Sequence, residues 1–165
     1  ADPFCGVGGI AIEGIDMQFY MILADISRKD LEHVKTNVEY FYPNNGLYLL
    51  VQGDIRHCCF EQESLDGIVT DIPYGRASRR KGMESVYDAF LQVAARALKP
   101  KKCLVVIYAN FIPFKDLALK YFDEVMEIEQ YINASMTRYI LVLERPKSLK
   151  KTLAIPTYAT KRSDQ

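Results

Sequence analysis

Neither sign of charge dominates this chain, whose 165 residues carry 21 Lys and Arg against 21 Asp and Glu. A global electrostatic footprint for nucleic acid is therefore lacking. No C-x-x-C pair occurs among the four cysteines (Cys5, Cys58, Cys59 and Cys103), and His33 and His57 add no metal-ligand spacing. The neighbours Cys58 and Cys59 are not expected to bond to each other. This usage argues against structural zinc and for an intracellular, reduced protein. Signal-peptide character and membrane-length apolar runs are also missing, so a cytoplasmic location is the expectation. No Gly-Lys-Ser/Thr completes the single Gly-rich loop, which makes P-loop nucleotide hydrolysis a poor reading. Internal repeats, low-complexity stretches and a second domain are not found.

At 49% hydrophobic content the chain has enough apolar material for one real core. One domain over 1–165 is expected, with a polar tail over 146–165 that is extended or loosely docked. Charge is unevenly placed despite its balance. Arg76, Arg79, Arg80 and Lys81 form one cluster, Lys99, Lys101 and Lys102 a second, and Lys147, Lys150, Lys151, Lys161 and Arg162 make the tail basic. Such runs attract phosphate, but most are solvated surface.

The first nine residues, Ala1-Asp2-Pro3-Phe4-Cys5-Gly6-Val7-Gly8-Gly9, form a Gly-rich loop of the kind that normally follows a strand. Sequence containing at least one β-strand is thus expected before Ala1. From Gly8 to about Gln18 the pattern predicts a helix, and Phe19 to Ala24 a buried strand closed by Asp25. Ser27 reads as the N-cap of a helix carrying Leu31, Val34, Val38 and Phe41. Pro43 to Gly46 is a turn, Leu47 to Val51 a strand ending at Gly53-Asp54, and His57 to Glu63 a short irregular piece. A strand from Leu65 ends on Asp71. Met83 to Leu98 predicts a helix with Val86, Phe90, Val93, Ala94 and Ala97 inward, broken by Lys99-Pro100-Lys101-Lys102. Cys103 to Ala109 is a strand, Pro113 to about Phe122 a helix, and Val125 to Ile132 a strand. Ser135 to Arg138 connects it to a last strand, Tyr139 to Glu144. Alternating strands and helices imply an α/β fold with a mostly parallel, twisted sheet and helices on both faces. The last two strands, lacking a helix between them, should form an antiparallel pair at one edge.

The stretch Asp71-Ile72-Pro73-Tyr74-Gly75 is the centre of the functional reading. It brings a carboxylate, a fixed carbonyl and a flat ring to the carboxyl edge of the sheet, where ligands bind in open α/β folds. Asp25, 19 residues after Gly6, stands where an acid accepts hydrogen bonds from ribose hydroxyls. Asp54 offers an acceptor for an adenine amine, or else caps a turn. Asp2, Asp25, Asp54 and Asp71 each end a proposed strand on one side, which favours a shared nucleoside pocket over four unrelated caps. Cys5 is better read as a small packed residue than as a nucleophile.

Together these segments resemble the S-adenosylmethionine-dependent methyltransferases of nucleobase amines. Most similar are the THUMP-associated tRNA guanine-N2 methyltransferases, through D-P-F-C-G-V-G-G at 2–9, T-D-I-P-Y-G-R at 70–76 and S-M-T-R-Y at 135–139. The resemblance implies a Rossmann-like class I methyltransferase fold, S-adenosylmethionine as cofactor (S-adenosylhomocysteine as product), a tRNA substrate and an upstream THUMP-type RNA-binding module. The implied cofactor residues are Asp2, Phe4, Gly6, Gly8, Asp25, Ile26, Asp54, Ile55 and Asp71. Asp71, Pro73 and Tyr74 are the implied catalytic residues; Arg76, Arg79, Arg80 and Arg138 are candidates for substrate contact. No metal or membrane is expected. Ile72 departs from the family pattern, which has a proline there, and a less rigid loop is expected as a result.

An exocyclic amine is a poor nucleophile because its lone pair is delocalised into the ring. A carboxylate at Asp71 and the carbonyl of Ile72 or Pro73 can accept both its N–H bonds and draw the nitrogen towards tetrahedral geometry. Tyr74 would stack on the extruded base, an interaction worth about 1–3 kcal/mol. Competing readings are methylation of adenine in DNA, of a glutamine amide in protein, and an inactive cofactor-binding partner. An NAD-dependent oxidoreductase leaves Asp71 to Tyr74 unexplained.

Overall fold

The structure, a computed structural model, describes residues 1–57, 60–75 and 82–150. In chain order the elements are α1 (Gly9–Asp16), β1 (Met21–Asp25), α2 (Arg28–Phe41), β2 (Tyr48–Gln52), a 3-10 turn (Ile55–His57), β3 (Leu65–Asp71), α3 (Met83–Ala97), β4 (Leu98–Ala109), α4 (Phe114–Ala118), β5 (Asp123–Asn133) and β6 (Met136–Glu144).

Two parallel ladders form one half of an α/β sheet. β1 pairs with β2, and β3 with β4. Between them runs the opening segment. The Val69 N–H donates to the Ala1 carbonyl at 3.0 Å, the Asp2 N–H to the Ile22 carbonyl at 2.9 Å, and the Ala24 N–H to the Asp2 carbonyl at 2.9 Å. Ala1 and Asp2 therefore stitch the two ladders together, and the order across the molecule is β2, β1, the opening segment, β3, β4, β6, β5. β6 is antiparallel to both β4 and β5. This is the α/β architecture read from the sequence, including the antiparallel pair at one edge.

Two apolar clusters sit under the sheet. Ala11 and Ile15 of α1, Leu31, Val34 and Val38 of α2, and Met21 and Leu23 of β1 make the smaller one. Phe90, Leu91, Ala94, Phe114, Phe122, Leu104, Leu141 and Leu143 are among the fully buried residues of the larger. Helix α2 begins where expected, since Ser27 Oγ accepts from the Asp30 N–H at 3.3 Å.

Several boundaries differ from the sequence reading for local reasons. Phe19 and Tyr20 lie outside β1 and are exposed, because the chain reverses at Gln18, whose φ is 63°. In α3 the inward face includes Tyr87, Leu91 and Ala95, while Val86 and Val93 are only half-buried. Lys99 to Lys102 do not separate helix from strand. β4 starts at Leu98, opposite Leu65, and the next pair is Gly67 with Cys103. These four residues, three lysines and a proline, bulge outward between those pairs, with Lys101 at φ 66°. Arg145 secures the bulge: the Lys101 N–H donates to its carbonyl, and its N–H donates to the Lys102 carbonyl, each at 2.9 Å. Helix α4 ends at Ala118 because Tyr121 and Phe122 turn into the core. The connection before β6 is shorter than expected, so Met136, Thr137 and Arg138 are already in the strand.

Candidate active site

The carboxyl ends of β1, β2 and β3 open onto a cavity of about 760 Å³, a volume within the range of cofactor and small-ligand sites. Its walls include Phe4 and Gly6 of the opening loop, Asp25 and Ile26 after β1, Asp54, Ile55 and Arg56 after β2, and Asp71, Pro73 and Gly75 after β3. A second recess beside it adds Asp2, Cys5 and Tyr74. Of the residues implied as cofactor contacts, Phe4, Gly6, Asp25, Ile26, Asp54, Ile55 and Asp71 thus share one cavity.

The loop geometry explains the glycines. Gly6 has φ +49°, and a Cβ there would meet nothing within 4 Å, so its bare backbone faces the open space. Its N–H donates to Asp25 Oδ2 at 3.0 Å, and the Ser27 N–H donates to Asp25 Oδ1 at 2.8 Å. Asp25 therefore pins the loop and still keeps lone pairs for a ligand hydroxyl. Gly8 lies outside both cavity walls. With φ +90° it precedes α1, and a Cβ would lie 3.2 Å from Val34 Cγ1. It lets the helix pack closely and so positions the loop. Asn37 of α2, which the sequence reading missed, donates from Nδ2 to the Val7 carbonyl at 2.9 Å.

Asp2 is only 1% exposed. Its Oδ1 accepts from Thr70 Oγ1 at 2.6 Å and from the Phe4 N–H at 3.1 Å. Burial raises its carboxyl to about 6; the Thr70 and Phe4 bonds oppose that rise. Asp2 is thus first a structural knot at the root of the loop. Asp54 plays the turn-capping role that the sequence offered for it. It accepts from the Arg56 N–H at 2.9 Å, capping the 3-10 turn, and faces the cavity. The Arg56 guanidinium is held by the same carboxylate, with Nη2 at 2.5 Å from Oδ2, and that bond keeps Asp54 down at about 2. Cys5 is buried, and burial raises its thiol to about 12, which removes it as a nucleophile.

At the end of β3, Asp71, Tyr74 and Arg138 converge from sequence-distant positions. Arg138 Nη2 donates to Asp71 Oδ2 at 3.1 Å, and the guanidinium carbon lies 5.8 Å from the centre of the Tyr74 ring. Phe111, another residue missed from sequence, meets Tyr74 edge-on at 6.3 Å and 88°. Burial pushes the Asp71 carboxyl above its ordinary value, and the Tyr74 hydroxyl and Arg138 pull it back. The hydroxyl is near enough to act electrostatically, yet it forms no hydrogen bond of sound geometry with Asp71. Five buried side-chain polar atoms lack a hydrogen-bond partner among the described residues, and three of them, Asp71 Oδ1, the Tyr74 hydroxyl and Arg138 Nε, belong to this one corner. Unsatisfied polar atoms are costly in a core and collect where a ligand completes them.

The Ile72 departure does not loosen the loop as expected. The Ile72 side chain is 1% exposed in the larger core, and its N–H donates to the Ile107 carbonyl at 3.1 Å, a bond a proline could not make. The Tyr87 hydroxyl donates to the Pro73 carbonyl at 2.7 Å and fixes the next peptide. Arg76, Arg79 and Arg80 lie outside the described residues.

Residues 1–140 match the family model described as UPF0020, RMKL-like, methyltransferase domain. The chain belongs to this methyltransferase family. Curated relatives of the methyltransferase domain include the tRNA (guanine(10)-N2)-dimethyltransferase of Methanothermobacter thermautotrophicus, 30% identical over 146 residues. That alignment covers 87% of this chain and 43% of the relative. A probable tRNA (guanine(10)-N2)-dimethyltransferase of Methanothermococcus thermolithotrophicus is 33% identical over 151 residues, covering 87% of this chain and 86% of the relative. Among solved structures, TrmN from Thermus thermophilus superposes with a TM-score of 0.74 at 21% identity, over 87% of this chain and 42% of that one. The fold of this domain is that of the class I S-adenosylmethionine-dependent methyltransferases. The chain spans less than half the length of the first of these relatives and most of the second.

Proposed function

We propose that this domain transfers a methyl group from S-adenosylmethionine to the exocyclic N2 amine of a guanosine in tRNA. The observation that carries the reading is the corner where Asp71 Oδ1 and the Tyr74 hydroxyl are left without a well-formed hydrogen bond beside the cofactor-sized cavity. The Asp71 acceptor next to the Tyr74 hydroxyl suits a base edge that presents an amine N–H beside a ring nitrogen. Relatives named for guanine(10)-N2 support guanine over adenine as that base.

The cavity fits the cofactor on its own chemistry. Gly6 leaves backbone space, Asp25 retains acceptor capacity for ribose hydroxyls, Asp54 faces the same wall for an adenine amine, and Ile26 and Ile55 supply apolar lining. When bound, the cofactor supplies an electrophilic methyl group. The chain's own part is to prepare the amine. Asp71 and the backbone carbonyl at Ile72 or Pro73 accept its N–H bonds, which localises the nitrogen lone pair and aims it. The Tyr74 ring holds the base plane. Fixing both reactants in such a geometry contributes roughly 7–11 kcal/mol of barrier lowering. A cytoplasmic site of action and a THUMP-type RNA-binding module working with this domain belong to the same proposal.

The test uses the full-length protein, labelled S-adenosylmethionine and bulk tRNA, with nucleosides resolved after digestion. Label should appear in N2-methylated guanosine. Asp71→Ala, which removes a charged acceptor, should lower kcat on the order of 100-fold. Label in methyladenine, or only with DNA supplied, would transfer the assignment to the adenine reading. Tight S-adenosylhomocysteine binding without any transfer would point to an inactive partner.

A further inference from the structure

The contact between Arg138 and Asp71 goes further than lining a pocket, and its meaning rests on Asp71 being the acceptor for a base amine. The Asp71 side chain is 34% exposed. Its Oδ1 is buried without a well-formed hydrogen bond, so the exposure belongs to the rest of the side chain. Oδ2 is the oxygen that Arg138 Nη2 already occupies at 3.1 Å. The same guanidinium sits over the Tyr74 ring, 5.8 Å from its centre. A flat group that donates an N–H bond to Asp71 and lies against the Tyr74 ring takes up the two positions required of the target base. Arg138 also retains a buried Nε with no acceptor, so its seat satisfies it only in part.

We propose that Arg138 is a stand-in for the target base: it occupies the Asp71 and Tyr74 positions in the free site and is displaced when the base arrives. Arg138 is a positioning residue in this scheme, keeping a half-buried carboxylate paired and aimed until the amine replaces it. Its place in β6, in register with Ala109 of β4, fixes the backbone and leaves only the long side chain to swing. The displaced cation is then available to a phosphate of the bound RNA. One residue thus opposes the uncharged base and favours the charged polynucleotide, and those two effects separate by experiment.

The measurement compares wild type with Arg138→Met and Arg138→Lys, all saturated with S-adenosylhomocysteine. The first probe is 2-aminopurine riboside, an uncharged fluorescent nucleoside that keeps the 2-amine. If the stand-in holds the site about 80% of the time, its removal tightens nucleoside binding roughly five-fold, because apparent affinity scales with the competent fraction. Arg138→Lys, which keeps the charge without the flat fork, should fall between the two. The second probe is bulk tRNA, whose affinity for Arg138→Met should drop, with the slope of log affinity against log salt reduced by about one. A purely structural role would not move the two probes in opposite directions. Equal or weaker nucleoside binding in both variants, with S-adenosylhomocysteine affinity unchanged, overturns the stand-in while leaving the base-amine reading in place. No nucleoside binding by any of the three proteins, wild type included, refutes that reading and the stand-in with it. Loss of S-adenosylhomocysteine binding in Arg138→Met moves the decision to Arg138→Lys, where absence of any tightening has the same overturning force.

Discussion

Asp2 should make this domain less stable as pH rises through the weakly acidic range. Its carboxyl is almost fully buried, and burial lifts it from 3.8 to about 6. A group whose folded value lies above its unfolded one favours folding in its protonated form. Its contribution is complete below about pH 4 and lost as pH climbs through 6. The gap corresponds to about 3 kcal/mol by the linkage relation, a large part of the stability of a domain this size. Asp54 works in the opposite direction, but it is held at about 2 by Arg56, whose side chain is half exposed, so its effect falls below pH 4 and is small. Asp2→Asn isolates the charge, since the amide oxygen still accepts from Thr70 Oγ1 and the Phe4 N–H. Urea unfolding of both proteins between pH 4 and 7.5 gives the difference in stability at each pH. That difference should rise in favour of Asp2→Asn by about 2.5 kcal/mol across the range, with most of the rise above pH 4.5. Any need of the new amide group for an acceptor adds a constant offset and leaves the slope untouched. A difference that stays flat from pH 4 to 7 would refute the reasoning, because the carboxyl would then have titrated as it does in water.

Two further substitutions probe the scaffold of the site. Tyr87→Phe keeps the ring contact with Phe114 and removes only the hydroxyl bond to the Pro73 carbonyl; stability should fall by about 1 kcal/mol, and kcat several-fold with S-adenosylhomocysteine affinity unchanged. Unaltered kcat would show that the Pro73 peptide needs no such anchor. Gly8→Ala sets a Cβ at φ +90° and 3.2 Å from Val34 Cγ1. The left-handed strain alone costs about 1–2 kcal/mol, and displacement of the loop should weaken S-adenosylhomocysteine binding about ten-fold by calorimetry, with α1 and α2 intact by circular dichroism. Cofactor affinity equal to wild type would mean that the loop shape does not depend on this packing.

The order of elements was legible because hydrophobic period and turn chemistry are local. Ser27 announces α2 by its own side chain, and Phe19 to Asp25 or Leu65 to Asp71 announce buried strands by composition. The failures lie where a distant residue overrides the local signal. Lys99-Pro100-Lys101-Lys102 looks like a helix breaker followed by a loop. It becomes a bulge inside β4 because the Arg145 backbone, more than forty positions on, bonds both sides of it. Tyr121 and Phe122 suit a helix by spacing, yet full burial draws them out of α4 into the core. Phe19 and Tyr20 read as core by type, and the turn at Gln18 leaves them in water.

The site divides along the same line. Asp25, Asp54 and Asp71 were found from sequence because each ends a strand, and strand ends meet at one sheet edge. Arg56, Tyr87, Phe111 and Asn37 were not found, since nothing local distinguishes a surface-compatible arginine or an amphipathic-helix tyrosine from one aimed at a loop. Ile72 shows why this matters for rigidity. Judged by its motif, replacing proline should free the loop; judged by its surroundings, Ile72 gains a sheet hydrogen bond to Ile107 and a fully buried side chain. The φ restriction of a proline and the ladder bond of an isoleucine are alternative ways to fix one peptide, and only one of them can be read from the residue itself. Stiffness at Asp71 to Tyr74 is therefore a property of β4, α3 and β6 acting together, with Ile107, Tyr87 and Arg138 each contributing one contact. Sequence identifies the groups at the cavity's corner, and the sheet and helices decide whether those groups are held still.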